Sequence, residues 1–459
     1  MMSTIKKREK HMLTKDKSFY RTFVGLALAL MMQQAVVLSV NLADNVMLGS
    51  YSETALSGVA AVNQIQFILQ QLVFGFSNGM IVLASQYWGR RKTEPIKRLM
   101  ALAFAGAMCV AALLFMLVSV FPQQAVGLFT DDAAIITQGC AYLKIVRFSY
   151  LFFAMTTVLL GGMRTVEKVR IALVVSAIAL VVNCSINFVL IHGRFGFPEM
   201  GVRGAAIGTL TARILECAIV SVCVLVHDKR LGLRVRDLVR FDAVLAGDYA
   251  RVSFPVIMTS FLWGLNTALQ TVILGHMSSS AIAAHSISST IFLFLKVTSQ
   301  GASSAASVIT GRTVGEGNMA KVREYTRTLQ AIFVTIGLSL GAIMLLIRMP
   351  LLSLYTLEPQ TRALAETFML IEATVLVATS YQMCVNTGII SGGGDPRFVL
   401  IVDLFVIWGF AIPMSFLCAF KWNASPIVVM LMLNSDQYMK CVTSAIYCNS
   451  YRWIKNLTR

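Results

Sequence analysis

Charge is what this sequence has least of. Only 13% of its 459 residues are Asp, Glu, Lys or Arg, against about a quarter in soluble domains. That shortage excludes a soluble globular chain. Histidine is sparse too: the five, at 11, 192, 227, 276 and 285, show no metal spacing such as HExxH. None of the nine cysteines has a CxxC partner, and most fall inside apolar runs, where a thiol acts as a small hydrophobe. The glycine-rich "SGGGD" at 391–395 lacks the Lys-Ser/Thr of a phosphate loop and reads as a turn. A membrane-embedded enzyme needs clustered His, Asp, Glu or Cys near an interface. Without such a cluster, neither an enzyme nor a bound cofactor is expected.

What the chain has is apolar length. Hydrophobic residues make up 57% of it, in runs of the roughly 20 residues that a helix needs to cross a bilayer. The runs are too long, and alternate too little, for the ten-residue strands of a membrane barrel. Twelve spans are read, near 20–49, 55–86, 99–121, 134–161, 168–192, 202–227, 245–275, 281–311, 325–349, 361–390, 397–420 and 425–449. The fold class is therefore all-α integral membrane. The formal charge of +17 does not point to nucleic acid, because its placement follows the membrane. With the N-terminus inside, 28 Lys and Arg fall in cytoplasmic segments and 5 (Arg194, Arg203, Arg348, Arg362 and Lys421) in external ones. By the positive-inside rule both termini are cytoplasmic. The N-terminal "MMSTIKKREKHMLTKDK" has no small-residue cleavage site after a short apolar core, so residues 1–19 read as a retained basic arm. The C-terminal "NLT" then lies on the wrong side to be glycosylated.

The chain also repeats itself. Laid 226 residues apart, "VMLGSYSETALSGVAAV" (46–62) and "VILGHMSSSAIAAHSIS" (272–288) match at Leu48/Leu274, Gly49/Gly275, Ser52/Ser278 and Ala55/Ala281. The same shift carries Gly89 of "SQYWGRRKTE" onto Gly315 of "GRTVGEGN". A shift one residue longer lays "GGMRTVEKVR" (161–170) on "GIISGGGDPR" (388–397). Each half holds six spans, an even number, so the repeats are parallel, as in transporters whose cleft lies between two halves. The expected organisation is a lobe at 20–227, a cytoplasmic connector at 228–244, a lobe at 245–449 and a cytoplasmic tail at 450–459.

Ionisable residues inside such spans persist where they face a cavity or a partner, because a charge there costs roughly 2.5–3.5 kcal/mol. Asp44 is the first, near the end of span one in "NLADNVMLGS". At 1.5 Å rise per residue, Asp44 and Asn187 lie about six residues from their outer turns, Thr209 about eight and Asn183 about ten. All four therefore fall in the outer half of the first lobe. Asn183 and Asn187, four apart, share a helix face. A carboxylate, two amides and a hydroxyl can offer oxygens to a hard cation, although asparagines also serve as hydrogen-bonding glue between helices. Arg213 and Glu216, one turn apart in span six, read either as an intrahelical pair or as a relay. In the second lobe Lys296, Glu372 and Asp403 lie within spans eight, ten and eleven. A buried lysine needs a partner, and Glu372 or Asp403 is the expected one; a role in coupling or substrate binding is the alternative. Trp263, with Phe261, Phe292 and Phe294, offers ring faces to a cationic substrate. Tyr381 and Gln382 are polar at mid-span. Pro255 and Pro413 are expected to kink their helices.

The segments "ADNVMLG", "AAVNQI", "ASQYWG", "LVVNCSINFVLIHG", "GVRGAAIGTL" and "SYRWIKNLT", in this order and spacing, resemble the multidrug and toxic compound extrusion (MATE) family nearly end to end. The resemblance implies twelve helices in two six-helix lobes, with a cleft that faces alternately in and out. It implies export of organic cations in exchange for Na⁺ or H⁺ across the cytoplasmic (inner) membrane. It also points to Asp44, Asn183, Asn187 and Thr209 as the cation site, with one departure: some members carry a second aspartate where this chain has Asn187. The expected partners are small-molecule drugs and the lipid bilayer, with no nucleic acid, and a monomer is expected. The competing reading keeps the fold and changes the cargo to a lipid-linked or polysaccharide precursor. Such cargo is anionic and needs a strongly cationic cavity, and cations at mid-membrane are few here.

Overall fold

The structure, a computed structural model, describes residues 13–353 and 358–458; residues 1–12 of the basic arm lie outside the described residues. Among the described residues every regular element is a helix. The first six spans are α1 (Lys17–Tyr51), α2 (Glu53–Gly89), α3 (Thr93–Val120), α4 (Ala133–Val146 and Ser149–Thr165), α5 (Arg170–Leu190) and α6 (Val202–His227). The remainder are α7 (Ala243–Gly275), α8 (Ser279–Gly315), α9 (Met319–Leu352), α10 (Pro359–Ser391), α11 (Pro396–Lys421) and α12 (Pro426–Leu433 and Ser435–Ser450). Among the described residues ten are single helices long and apolar enough to cross a membrane, and the bent pair of α4 makes eleven.

Two spans depart from the expected single helices. α4 bends by 53° between Val146 and Ser149 in a stretch, "VRFS", with no proline or glycine. α12 breaks at Asn434, and its second half, "SDQYMKCVTSAIYCNS", is polar. Its Asp436, Lys440 and Ser444 are nonetheless buried, so protein rather than lipid surrounds that face. Pro255 lies inside an unbroken α7. Around Pro413, α11 widens into π-helical turns at Leu404–Ala411 and Leu417–Lys421. α10 widens likewise at Cys384–Ser391. Such wide turns are common at functional sites.

The chain forms two compact units. One consists of Met32–Ala84 and Lys92–Phe261. The other takes the described residues up to Met31, Ser85–Arg91 and everything from Leu262 onward. The division runs through α1, α2 and α7. In the first unit the second half of α4 is almost wholly buried, packed against α3 and α6. In the second unit the corresponding helix, α10, is the most enclosed and packs against α8 and α9. There Phe368, Met369, Val375 and Leu376 of α10 meet Leu274, Ala284, Met344 and Met430 of α7, α8, α9 and α12 in one apolar cluster.

Glycines set the closest helix contacts in the second unit. A Cβ on Gly89 would run into the Arg312 carbonyl, and one on Gly315 into the Gln86 carbonyl. The two repeat-related glycines thus let the ends of α2 and α8 meet backbone to backbone. "SGGGD" is the turn expected, with Gly394 at φ +110°. A Cβ on Gly393 would meet the ring of Trp453, which is fully buried and donates its Nε1–H to the Cys448 carbonyl at 2.8 Å. The tail that carries Trp453 is pinned by Gln86, whose Nε2 donates to the Lys455 carbonyl (3.1 Å) and whose Oε1 accepts from the Leu457 amide (2.8 Å). Lys455 also pairs with Asp395 at 2.7 Å.

Candidate functional site

The first unit brings Asp44, Asn183, Asn187 and Thr209 together. Close approach of α5 and α6 makes this possible. Gly204 and Gly208 lie four apart on α6, so a Cβ at Gly204 would strike the Leu190 backbone and one at Gly208 the Asn187 amide oxygen. Small residues at this spacing are the usual way membrane helices pack tightly. Asn187, wholly buried, donates from Nδ2 to Asp44 Oδ1 at 2.6 Å and to Asn183 Oδ1 at 3.3 Å. Asn183, also buried, donates from Nδ2 to Thr209 Oγ1 at 3.5 Å. Asp44 is half-buried and borders a small cavity. The Asn187 amide oxygen is buried without a hydrogen-bond partner. Leaving such an acceptor unmet costs about 1–3 kcal/mol. One carboxylate, two amide oxygens and a hydroxyl, one oxygen of them unpaired, are ligands suited to a hard monovalent cation, and the carboxylate can equally take a proton.

Sequence reasoning missed the rest of the cavity wall. Asn63, Gln66 and Gln70 of α2 and Tyr142 of α4 line it with Arg213 and Glu216. The signal was present: 63, 66 and 70 fall on one face of an otherwise apolar helix. Arg213 and Glu216 form the intrahelical pair, at 2.8 Å, and the Arg213 guanidinium also lies 5.3 Å from the Phe153 ring centre.

In the second unit the expected pairing of Lys296 with Glu372 or Asp403 is not made. Asp403 pairs with Lys440 at 3.1 Å, and Lys440 also pairs with Asp436 at 2.9 Å. Glu372 accepts from the Ser288 hydroxyl at 3.2 Å, and its other oxygen is buried without a partner. The Lys296 ammonium lies instead over Trp263, 4.4 Å from the ring centre, and 5.9 Å from that of Phe292. The unforeseen cation was Lys440, because Asp436 and Lys440, at i and i+4, were not singled out in the last span. From them a buried network continues. Gln437 donates to Asp436 (2.7 Å) and accepts from Thr379 (2.9 Å) and Gln382 (2.8 Å). Gln382 accepts from Asn386 (3.2 Å), which accepts from Ser444 (2.7 Å). Tyr381 stands apart from it and donates to Gln330 of α9 at 2.7 Å.

Beyond the spans, Asp228 after α6 accepts from the Lys168 ammonium and from the Leu231 amide (2.8 Å). Burial pushes its carboxyl up, but these bonds outweigh it and hold the group below its ordinary value.

The MatE family model matches residues 29–189 and 255–417, more than half of the chain. The chain belongs to the MatE family. The second match starts 226 residues after the first, the same shift that aligns the two halves by their own residues. This MATE chain is 24% identical over 449 residues to the probable multidrug resistance protein NorM of Thermotoga maritima, covering 96% of this chain and 94% of that one. It is 23% identical over 372 residues to the probable multidrug resistance protein YoeA of Bacillus subtilis, covering 79% and 78%. A mutant form of the Vibrio cholerae MATE transporter VcmN superposes with a TM-score of 0.85 at 18% identity, over 95% of this chain and 98% of that one. That likeness establishes the shared fold. The protein is a multi-pass membrane transporter of the MATE family.

Proposed function

We propose that this protein is a secondary antiporter that expels drugs and organic cations across the cytoplasmic membrane by alternating access, driven by inward flow of Na⁺ or H⁺ through the Asp44 cluster. The observation that carries the reading is the buried, unpartnered Asn187 amide oxygen beside a half-buried carboxylate, an incomplete polar shell that a cation completes. The names of the NorM and YoeA relatives, both multidrug resistance proteins, support the cargo class. Asp44 brings the one negative charge among the four ligands. Binding the ion neutralises it, and so removes the cost of a bare carboxylate at membrane depth. That change is what can bias one conformation over another. The charge distribution supports cytoplasmic termini with the Asp44 cluster toward the outer side.

Sodium is the coupling ion we favour, since three of the four ligands cannot titrate. The test is dye efflux from everted vesicles under sodium and proton gradients imposed separately. Transport should rise with the sodium gradient at fixed pH and membrane potential, and Asn187→Leu, which removes a ligand oxygen, should raise the half-saturating sodium concentration severalfold. Efflux that ignores sodium but follows the pH gradient would make Asp44 a proton carrier. Efflux that follows neither gradient would remove antiport.

A further inference from the structure

The cation of the second unit that lies over aromatic rings, Lys296, is the feature that the proposed ion coupling leaves unused. It lies within α8 and is half-buried. The membrane-depth carboxylates of its own unit have other contacts: Asp403 and Asp436 pair with Lys440, and one oxygen of Glu372 accepts from Ser288. Among the described residues no carboxylate lies within ion-pair distance of Lys296. Its ammonium is held by ring faces alone, those of Trp263 and Phe292, which fix its position without neutralising it.

Polar side chains lie beside it. Ser289 and Gln300 share its face of α8, at i−7 and i+4, the first half-exposed and the second exposed. On α7, Thr267 and Gln270 continue the face of Trp263, again exposed and half-exposed. Accessible polar stripes at membrane depth face water rather than lipid. A partly buried, un-neutralised ammonium between aromatic rings, with polar side chains on the same faces, is suited to one kind of visitor: an aromatic body bearing an anionic group.

We propose that Lys296 receives the carboxylate of the transported molecule, so that the preferred cargo is a zwitterionic aromatic amphiphile, cationic at one end and acidic at the other. This deepens the exporter reading given above, and rests on it. A purely cationic aromatic molecule meets the same rings but is repelled by the ammonium. An acid of the same shape gains an ion pair there.

Rhodamine 110 and rhodamine 123 differ only in that the first has a free carboxylate and the second its methyl ester. They are compared in proteoliposomes of the full-length protein under an imposed ion gradient. The wild-type protein should transport rhodamine 110 with the higher kcat/KM. Lys296→Gln should lower kcat/KM for rhodamine 110 by about fivefold, the upper end for a partly exposed ion pair, and leave rhodamine 123 unchanged or faster. Lys296→Arg should restore the preference for the acid. A merely structural lysine would move both dyes alike, so an equal loss on both overturns the proposal. Wild-type transport of the ester alone overturns it too, while leaving the exporter reading intact. Gradient-driven transport of neither dye would overturn both.

Discussion

Replacing Asp44 by asparagine separates charge from shape at the proposed ion site. The amide keeps an oxygen where Asp44 Oδ1 accepts from Asn187 at 2.6 Å, so the hydrogen bond survives in neutral form. A bond to a charged group contributes about 1.5–3 kcal/mol and a neutral one about 1, which sets the loss at roughly 0.5–2 kcal/mol. Against it stands the roughly 2.5–3.5 kcal/mol cost of a carboxylate at membrane depth, which the substitution removes. Asp44→Asn should therefore unfold in detergent at or above the wild-type temperature while gradient-driven dye efflux is lost. A coupling ion adds a second readout. Sodium at about 100 times its Kd would stabilise the wild-type fold by about 2.7 kcal/mol, and the variant should lose that stabilisation. Efflux at the wild-type rate, or sodium stabilisation that survives the substitution, refutes the assignment. A variant that is both inactive and much less stable refutes the energetic reasoning.

Three further outcomes follow from the same contacts. Gly315→Ala forces a methyl into the Gln86 carbonyl and should destabilise by about 1–3 kcal/mol through overpacking; Gly247→Ala, with open space around its Cβ, should be neutral or stabilising in the same thermal assay. Lys440→Met strands the buried Asp403 and Asp436 and should cost about 3–5 kcal/mol, recovered in large part when both carboxylates are replaced by Asn. Asp228→Asn should lower thermal stability at pH 7. Because the folded carboxyl sits below its ordinary value, the difference is full above the ordinary carboxylate range and disappears as pH falls through the folded value.

Apolar runs made eleven of the twelve spans legible, since each is a continuous stretch of bilayer length. The bend in α4 was not legible: "VRFS" holds no breaker, and the burial of Ser149 and Tyr150 just beyond it shows only in the folded chain. The break in α12 follows from polar residues whose partners lie on other helices. The first-unit cluster could be read because Asp44, Asn183, Asn187 and Thr209 interrupt apolar helices at similar depth, and depth follows from residue count. Rotation about a helix axis does not follow from it. Lys296 therefore looked like a partner for Asp403, when packing turns Asp403 toward Lys440 and Lys296 toward Trp263. The amide stripe on α2 went unread, and of the Gln437 network only Gln382 was singled out, because the partners of the others lie on helices far away in sequence.

The docked tail has a consequence for how the chain is made. Trp453 fills the space over Gly393, Lys455 reaches Asp395, and the Lys455 carbonyl and Leu457 amide satisfy Gln86. Near the other end, the Thr14 amide donates to Thr328 and Asp16 accepts from Tyr325. Domains usually fold in order as they leave the ribosome. The unit of Met32–Ala84 and Lys92–Phe261 is drawn from residues up to Phe261 and can be assembled while synthesis continues. The other unit joins Thr14 and Asp16 to helices after Leu262, so it closes only once Trp453, Lys455 and Leu457 have been released, leaving Gln86 waiting for its partners through the translation of some 370 residues.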